Sequence, residues 1–136
     1  MKTRTVRIFL TREEADRAVG RLIRQAFKGG LKEPVLDEVF VSLDELARAL
    51  TPRRAELLAK IQEFKPESIK ELADRIGRDF KNVYNDLQVL ASIGLVDLEK
   101  EGRTTKVSVP DEIVFKWEDE RITPVELAKS FEKATA

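Results

Sequence analysis

The stretch SIKELADRIGRDFKNVYNDLQVLASIGLVDLEKEGRTTKVSVP, residues 68–110, decides the fold. It begins with a capping box, in which Ser68 and Glu71 satisfy free main-chain N–H groups at a helix start. Gly77 follows that helix, where a left-handed residue is favoured, and Asp79 caps a second helix. The residues on both sides of EGRTT then alternate in polarity, as the strands of a hairpin do.

The spacing of small and apolar residues predicts how the two helices pack. Ala73 is small enough for a close crossing, Gly77 permits a tight turn, and Val83 faces the first helix from the second. Leu90 and the Gly-Leu-Val run at 94–96 lead directly into the hairpin. This order predicts a winged helix-turn-helix, and hence an α+β, mainly helical fold with a β-hairpin wing.

The second helix has an inner and an outer face, because successive residues turn by about 100°. Its predicted core side carries Phe80, Val83, Leu87 and Leu90. A recognition helix enters the major groove of DNA by its N-terminal half, where Asn and Gln pair with adenine. The residues of this region that we expect to contact DNA are Arg78, Lys81, Asn82, Tyr84, Asn85 and Gln88. The alternative is an ordinary polar helix surface.

Acidic side chains beside this outer face would repel DNA phosphates. We therefore expect Asp79 and Asp86 to cap the helix or to pair with basic side chains such as Arg78 and Lys81. The wing offers its own candidates for backbone or minor-groove contacts: Arg103, Thr104, Thr105 and Lys106. Arg53 and Arg54, at the start of an earlier helix, are further candidates for backbone contacts, and a solvated surface is the alternative for each.

The N-terminal segment predicts a strand at residues 4–10 and then a helix that begins with a capping box of Thr11 and Glu14. The helix should bury an apolar stripe formed by Ala15, Val19, Leu22, Ala26 and Phe27. Its opposite face carries a row of cations: Arg17, Arg21, Arg24 and Lys28. This row is either a solvated face or a contact to phosphates or an acidic partner.

Short elements link this helix to the opening stretch. Residues 31–41 form a connector with an extended end. Ser42 and Glu45 make another capping box, for a short helix. Thr51 and Pro52 start the next helix, since proline suits the first helical position.

The C-terminal segment predicts a strand at residues 113–117 and a last helix after a capping box of Thr123 and Glu126. Little chain remains to cover its apolar side chains, so we expect this helix to dimerise. The sequence thus predicts three segments: an N-terminal strand-helix extension at 1–41 for dimerisation or partner binding, a DNA-binding winged helix-turn-helix at 42–115, and a C-terminal helix at 116–136.

Composition limits the chemistry that the chain can perform. The 136 residues include no cysteine and no histidine, which excludes disulfides, thiolate or imidazole metal sites, and catalysis by either residue. We find no acidic pair at a recognisable spacing and expect neither enzyme activity nor a cofactor. No apolar run approaches the ~20 residues of a membrane span, and the start does not resemble a signal peptide, so we expect a cytoplasmic protein without a membrane partner.

From about Val39 to Phe115 the chain resembles the MarR-like predicted transcriptional regulators of archaea and bacteria. The resemblance lies in SLDELARALTPRRAELL at 42–58, SIKELADRIGRD at 68–79 and KNVYNDLQVLASIGLVDLE at 81–99. It implies a homodimeric winged-helix protein that binds double-stranded DNA and regulates transcription. Some members of this family resemble antitoxins, which bind a toxin protein and repress their own operon.

The charge balance leaves a second interpretation open. The chain has 25 basic and 25 acidic residues and a formal net charge of zero, whereas a strong DNA binder usually has a basic excess. A winged-helix module that binds a protein, for example a toxin, and no DNA would fit this balance. If the chain does bind DNA, its charges must be segregated onto faces, and a dimer must add two half-sites.

Overall fold

The computed structural model describes residues 2–29 and 37–135, and the chain divides into two compact units. Unit 1 comprises residues 1–2 and 49–112, and unit 2 comprises residues 3–48 and 113–136. The elements in chain order are β1 (Thr3–Phe9), α1 (Arg12–Gly29), β2 (Glu38–Ser42), α2 (Leu43–Ala49), α3 (Pro52–Phe64), α4 (Ile69–Ile76), α5 (Phe80–Ser92), β3 (Asp97–Glu101), β4 (Thr104–Ser108), β5 (Glu112–Trp117) and α6 (Pro124–Thr135).

Unit 1 is a winged helix-turn-helix, as the sequence predicts. Helix α4 packs against α5 and β4, and α3 packs against the same two elements. Ala73 and Val83 are buried, as expected for residues at a close helix crossing. The other fully enclosed apolar side chains of this unit include Leu57, Ile61, Ile69, Leu72, Leu87, Leu90 and Leu95.

Capping side chains set the starts of the three helices in unit 1. The side-chain oxygens of Thr51, Ser68 and Asp79 each accept a hydrogen bond from the main-chain N–H three residues later, at 3.2, 3.1 and 3.3 Å. In the predicted box at Ser68, the Glu71 carboxylate accepts from the N–H of Glu67, at 3.2 Å. The return bond of that box is therefore displaced by one residue.

The wing is a tight antiparallel hairpin. Glu101 lies opposite Thr104, which leaves Gly102 and Arg103 as the two loop residues. Gly102 has a φ of 63°, a conformation that suits glycine at the first position of a two-residue hairpin loop. The sequence predicted a longer loop, EGRTT. In the structure Thr104 and Thr105 belong to the second strand instead.

Unit 2 is built on a three-stranded sheet in the order β2-β1-β5. Strands β1 and β2 are parallel, with Val6 opposite Val39 and Ile8 opposite Val41, and α1 supplies the crossover that parallel strands require. The capping box at Ser42 is complete, because Ser42 and Glu45 exchange hydrogen bonds of 3.1 and 3.2 Å.

Unit 2 contains the N-terminal strand and helix together with the C-terminal helix, for which the sequence predicted extensions at 1–41 and 116–136 around a 42–115 domain. Strand β5 joins the sheet of unit 2, where the N–H of Glu118 donates to the carbonyl of Ile8 at 2.9 Å. Helix α6 contacts the start of α2 through a hydrogen bond of 2.8 Å, which the Ser130 hydroxyl donates to the Asp44 carboxylate. Residues 30–36, which hold most of the predicted connector, lie outside the described residues.

The predicted buried stripe of α1 is wrong beyond its first two turns. Ala15 and Ala18 pack with Phe9 and Phe40, but Leu22 is 42% exposed and Phe27 is 80% exposed. Helical periodicity identifies the apolar face of a helix, whereas its burial depends on which elements reach that face. The cationic row at Arg17, Arg21, Arg24 and Lys28 is exposed, as expected.

Within residues 2–29 and 37–135, each helix is too short or too polar to cross a lipid bilayer.

Candidate nucleic-acid interface

The turn between α4 and α5 sets the direction of the second helix. Gly77 closes α4 in the left-handed conformation, with φ 68° and ψ 33°. The N–H of the next residue, Arg78, donates to the carbonyl of Ala73 at 3.0 Å. This bond satisfies one of the main-chain carbonyls that are left without a helical partner at the end of α4. Asp79 then accepts from the N–H of Asn82 and starts α5. Three residues, Gly77, Arg78 and Asp79, therefore separate the helices.

The outer face of α5 is exposed along its length. The predicted contact residues of this helix that lie at the surface are Lys81, Asn82, Tyr84, Asn85 and Gln88. They lie opposite Val83, Leu87 and Leu90, which are fully buried. The face offers a cation and several amide groups, which are the side chains that hydrogen-bond to base edges.

Asp86 is buried, although it lies on the helix that carries this polar face. Its carboxylate accepts hydrogen bonds from three arginines: Arg78 at 2.8 Å, Arg53 at 3.1 Å and Arg54 at 3.2 Å. The pairing with Arg78 confirms one expectation, whereas Lys81 takes no part in this cluster. Arg53 and Arg54, which were candidates for contacts to the DNA backbone with a solvated surface as the alternative, bind this carboxylate. The arginine cluster, as we call Asp86 with its three arginines, joins α3, the turn and α5.

The arginine cluster leaves positive charge beside the start of α5. Three guanidinium groups against one carboxylate leave two positive charges, and the Arg53 side chain is 64% exposed. Burial opposes ionisation of Asp86, but the hydrogen bonds from Arg78 and Arg53 outweigh it, so the pKa of this carboxyl lies below its usual range. Asp86 therefore stays charged at neutral pH and orients the arginines.

Sequence reasoning missed this arginine cluster because α3 and α5 are distant in the chain. One signal was available. Asp86 lies about 60° around the helix from Val83, on the edge of the buried face. A carboxylate in that position is buried, and burial requires a cationic partner.

Phe80 is exposed, which corrects its predicted place in the core. Its ring stacks on that of Tyr84, with centroids 6.0 Å apart and 25° between the ring planes. Phe80 is the first residue of α5, so the helix crossing at Val83 lies one turn beyond it. A side chain in the first turn of a helix can thus lie on the same side as the buried residues and still be exposed.

The wing places its candidates differently. Arg103 is exposed in the two-residue loop, and Lys106 is exposed opposite Glu99 on the neighbouring strand. Thr105 is half-buried, and the hydroxyl of Thr104 donates to the carbonyl of Glu101 at 3.0 Å. The wing therefore presents Arg103 and Lys106 most directly, whereas the Thr104 hydroxyl is engaged within the hairpin.

A cleft of about 460 Å³ lies between the end of α3 and strand β4 in unit 1. Three lysines contribute to its lining: Lys2, Lys65 and Lys106. Over residues 2–29 and 37–135, the acidic side chains form no group of three suited to a metal ion.

The match to a known protein family lies almost entirely in unit 1. The family model described as HVO_A0114 matches residues 49–115, just under half of the chain. No curated protein matches the sequence at a significant level.

Two solved structures are similar to the chain at low identity. One is MepR, a transcription regulator of the Staphylococcus aureus multidrug efflux pump MepA. It has 14% identity and a TM-score of 0.41, with 92% of this chain and 74% of that chain covered. The other is a MarR-like transcriptional regulator from Thermotoga maritima, with 18% identity and a TM-score of 0.39. That match covers 93% of this chain and 79% of the other.

Proposed function

We propose that this protein is a sequence-specific DNA-binding transcriptional regulator that acts as a homodimer and by binding alone, without a catalytic step. The observation that carries the proposal is the exposed amide and lysine face of α5 in a winged helix-turn-helix. Asn85 and Gln88 pair with adenine and Lys81 with guanine or phosphate in the proposed complex.

Electrostatics support this assignment despite the zero net charge. The carboxylate of Asp86 is turned inward and held by Arg53, Arg54 and Arg78, so it does not oppose a phosphate. Arg53 adds an exposed cation next to α5, and Arg103 adds one at the wing. Charge is thereby segregated locally in a protein that is neutral as a whole.

The homodimer is proposed from two considerations. One half-site with few cations binds weakly, and a second copy adds the contacts of a second half-site about one helical turn away. Unit 2 also exposes apolar side chains that a partner would cover, among them Leu22, Ile23 and Phe27 on α1.

The test is a selection from a random double-stranded DNA library, followed by affinity titration on the enriched duplex. The wild type should enrich a palindromic sequence and lose affinity steeply as salt rises. The triple variant Lys81→Ala, Asn85→Ala, Arg103→Ala should lose at least tenfold in affinity. A matched control that also removes two charges, Lys70→Ala with Lys129→Ala, should bind nearly as wild type, since both lysines are exposed elsewhere.

A second candidate is a protein-binding module, such as the toxin-neutralising part of a toxin–antitoxin pair. The exposed apolar side chains of unit 2, including Phe27 and Trp117, favour it. If no DNA sequence is enriched, and Leu22→Asp with Phe27→Asp abolishes binding to a protein encoded by a neighbouring gene, this candidate is correct. If instead the triple variant of α5 and the wing abolishes DNA binding alone, the regulator is correct.

A further inference from the structure

Two aromatic side chains remain exposed near the start of α5. Phe80 is 49% exposed and Tyr84 is 37% exposed, and their rings stack. Because they are four residues apart, they form one apolar strip along the helix, beside Lys81 and Asn85. The strip lies at the border between the buried arc and the polar face of α5, and its exposed part offers apolar surface to a ligand.

The strip lies outside the fully buried core of unit 1. Val83, Leu87 and Leu90 are fully buried, whereas Phe80 and Tyr84 keep part of their surface exposed. Asp79 supplies the helix cap through its own side chain. The two rings also stack on each other, which adds only slightly to helix stability.

The chemistry of the major groove supplies a partner for an apolar side chain. Thymine presents a 5-methyl group there, and phenylalanine is among the side chains that contact it. Adenine, on the other strand of the same base pair, presents the groups that pair with an asparagine such as Asn85. With Phe80 and Asn85 both exposed in its N-terminal half, α5 thus carries complements to both halves of an A·T pair.

We propose that Phe80, supported by the stacked ring of Tyr84, recognises thymine through its 5-methyl group. Phe80 is the first residue of α5, and the N-terminal half of a recognition helix is the part that enters the groove. This inference rests on the proposed DNA binding by α5, and it adds a ligand group and a specificity-determining residue to that site.

The experiment compares two duplexes that differ in methyl groups alone. The first is the sequence enriched from the random library, and the second has deoxyuridine in place of every thymidine. Loss of one buried methyl should weaken binding about fourfold in each half-site, and therefore about 15-fold for the proposed homodimer on the palindrome, from the transfer free energy of a buried CH₂ group. The base-pairing and hydrogen-bonding groups are the same in both duplexes.

The variants attribute that difference to Phe80. Phe80→Ala should bind the thymidine and deoxyuridine duplexes with equal affinity, whereas Phe80→Leu, which keeps an apolar side chain, should retain part of the difference. Tyr84→Phe, which keeps the ring, should discriminate as the wild type does. Thermal unfolding followed by circular dichroism should show that all three fold, because both side chains are partly exposed.

Each outcome decides one point. If no sequence is enriched from the library, the proposed DNA binding fails and the inference fails with it. If a sequence is enriched but the wild type binds both duplexes equally, the inference alone is overturned. It is also overturned if Phe80→Ala weakens binding to both duplexes by the same factor, because the ring would then act only on the structure of α5.

Discussion

Asp86 shows how one buried charge organises the residues around it. The side chain retains 4% exposure, and three arginines from α3 and the turn before α5 converge on its two oxygens. Every side-chain nitrogen and oxygen that is buried in the described residues has a hydrogen-bond partner, so this arginine cluster is fully satisfied. It therefore contributes to stability and also sets the positions of Arg53 and Arg78 at the proposed interface.

Replacing Asp86 by asparagine should destabilise unit 1. Removing one partner from a buried ion pair leaves the others uncompensated, which costs about 3 kcal/mol. Denaturant unfolding at pH 7 would measure this as a lower free energy of unfolding. Asp74→Asn is the matched control, since its ion pair with Lys70 is exposed, and it should change stability by less than about 0.5 kcal/mol.

The cost of Asp86→Asn should depend on pH. The folded-state pKa of Asp86 is depressed, so its stabilising effect is complete above the unfolded pKa, about 4, and is lost as pH falls through the lower folded value. The difference between wild type and variant should therefore shrink in acid. A constant difference from pH 7 down to pH 3 would contradict the role of the charged carboxylate.

Substitutions at two residues in left-handed conformations should change the free energy of unfolding in opposite directions. Gly77 has a φ of 68°, and a Cβ there would meet no atom within 4 Å, so Gly77→Ala should cost about 1 kcal/mol through backbone strain alone. Lys65 ends α3 with a φ of 47°, although it is not a glycine. Lys65→Gly should therefore raise the free energy of unfolding by about 0.5–1 kcal/mol. Equal effects of the two substitutions would contradict this assignment.

At the scale of elements, α5 and the wing together form the proposed DNA interface. Helix α4 packs against both α5 and β4, so it fixes both elements on one core. The sequence correctly predicted these elements because capping residues and apolar periodicity are local signals. It misplaced the start of β4 because turn geometry at Gly102 selects a two-residue loop, which composition alone does not distinguish from a longer one.

The wing should contribute phosphate contacts that carry no sequence preference. Arg103→Ala and Lys106→Ala should each lower the slope of log affinity against log salt concentration by about 0.9, if each contacts one phosphate in the proposed complex. Both variants should weaken binding to the enriched and to unrelated duplexes by similar factors. Lys70→Ala is the control on an exposed part of α4 and should leave the slope unchanged. An unchanged slope for Arg103→Ala would remove the wing from the interface.

At the scale of the whole molecule, unit 2 is a second structural unit formed by both ends of the chain. Arg7 joins its strands, since its guanidinium lies 4.7 Å from the Phe40 ring and 2.8 Å from the Glu118 carboxylate. The same hydrogen bond to Glu118 raises the pKa of Arg7 above its usual value, against the effect of burial. The exposed apolar side chains of α1 belong to this unit.

The proposed homodimer should depend on that apolar part of α1. Leu22→Asp with Phe27→Asp should halve the mass in solution from twice the chain mass to the chain mass, measured by light scattering after size-exclusion chromatography. Affinity for the enriched DNA should fall with it, because the second half-site contact is lost. Gln25→Asp adds a negative charge to an exposed position of the same helix and should leave the mass unchanged. A monomeric wild type would overturn the dimer.

The sequence by itself determined the order of helices, the positions of their caps and the outer face of α5, because these follow from neighbours within a few residues. Tertiary structure alone decided the pairing of Asp86 with Arg53 and Arg54, the exposure of Phe80 and Phe27, and the union of both chain ends in unit 2. Each of these depends on which element from elsewhere in the chain packs against a given side chain. Periodicity in the sequence does not indicate that contact.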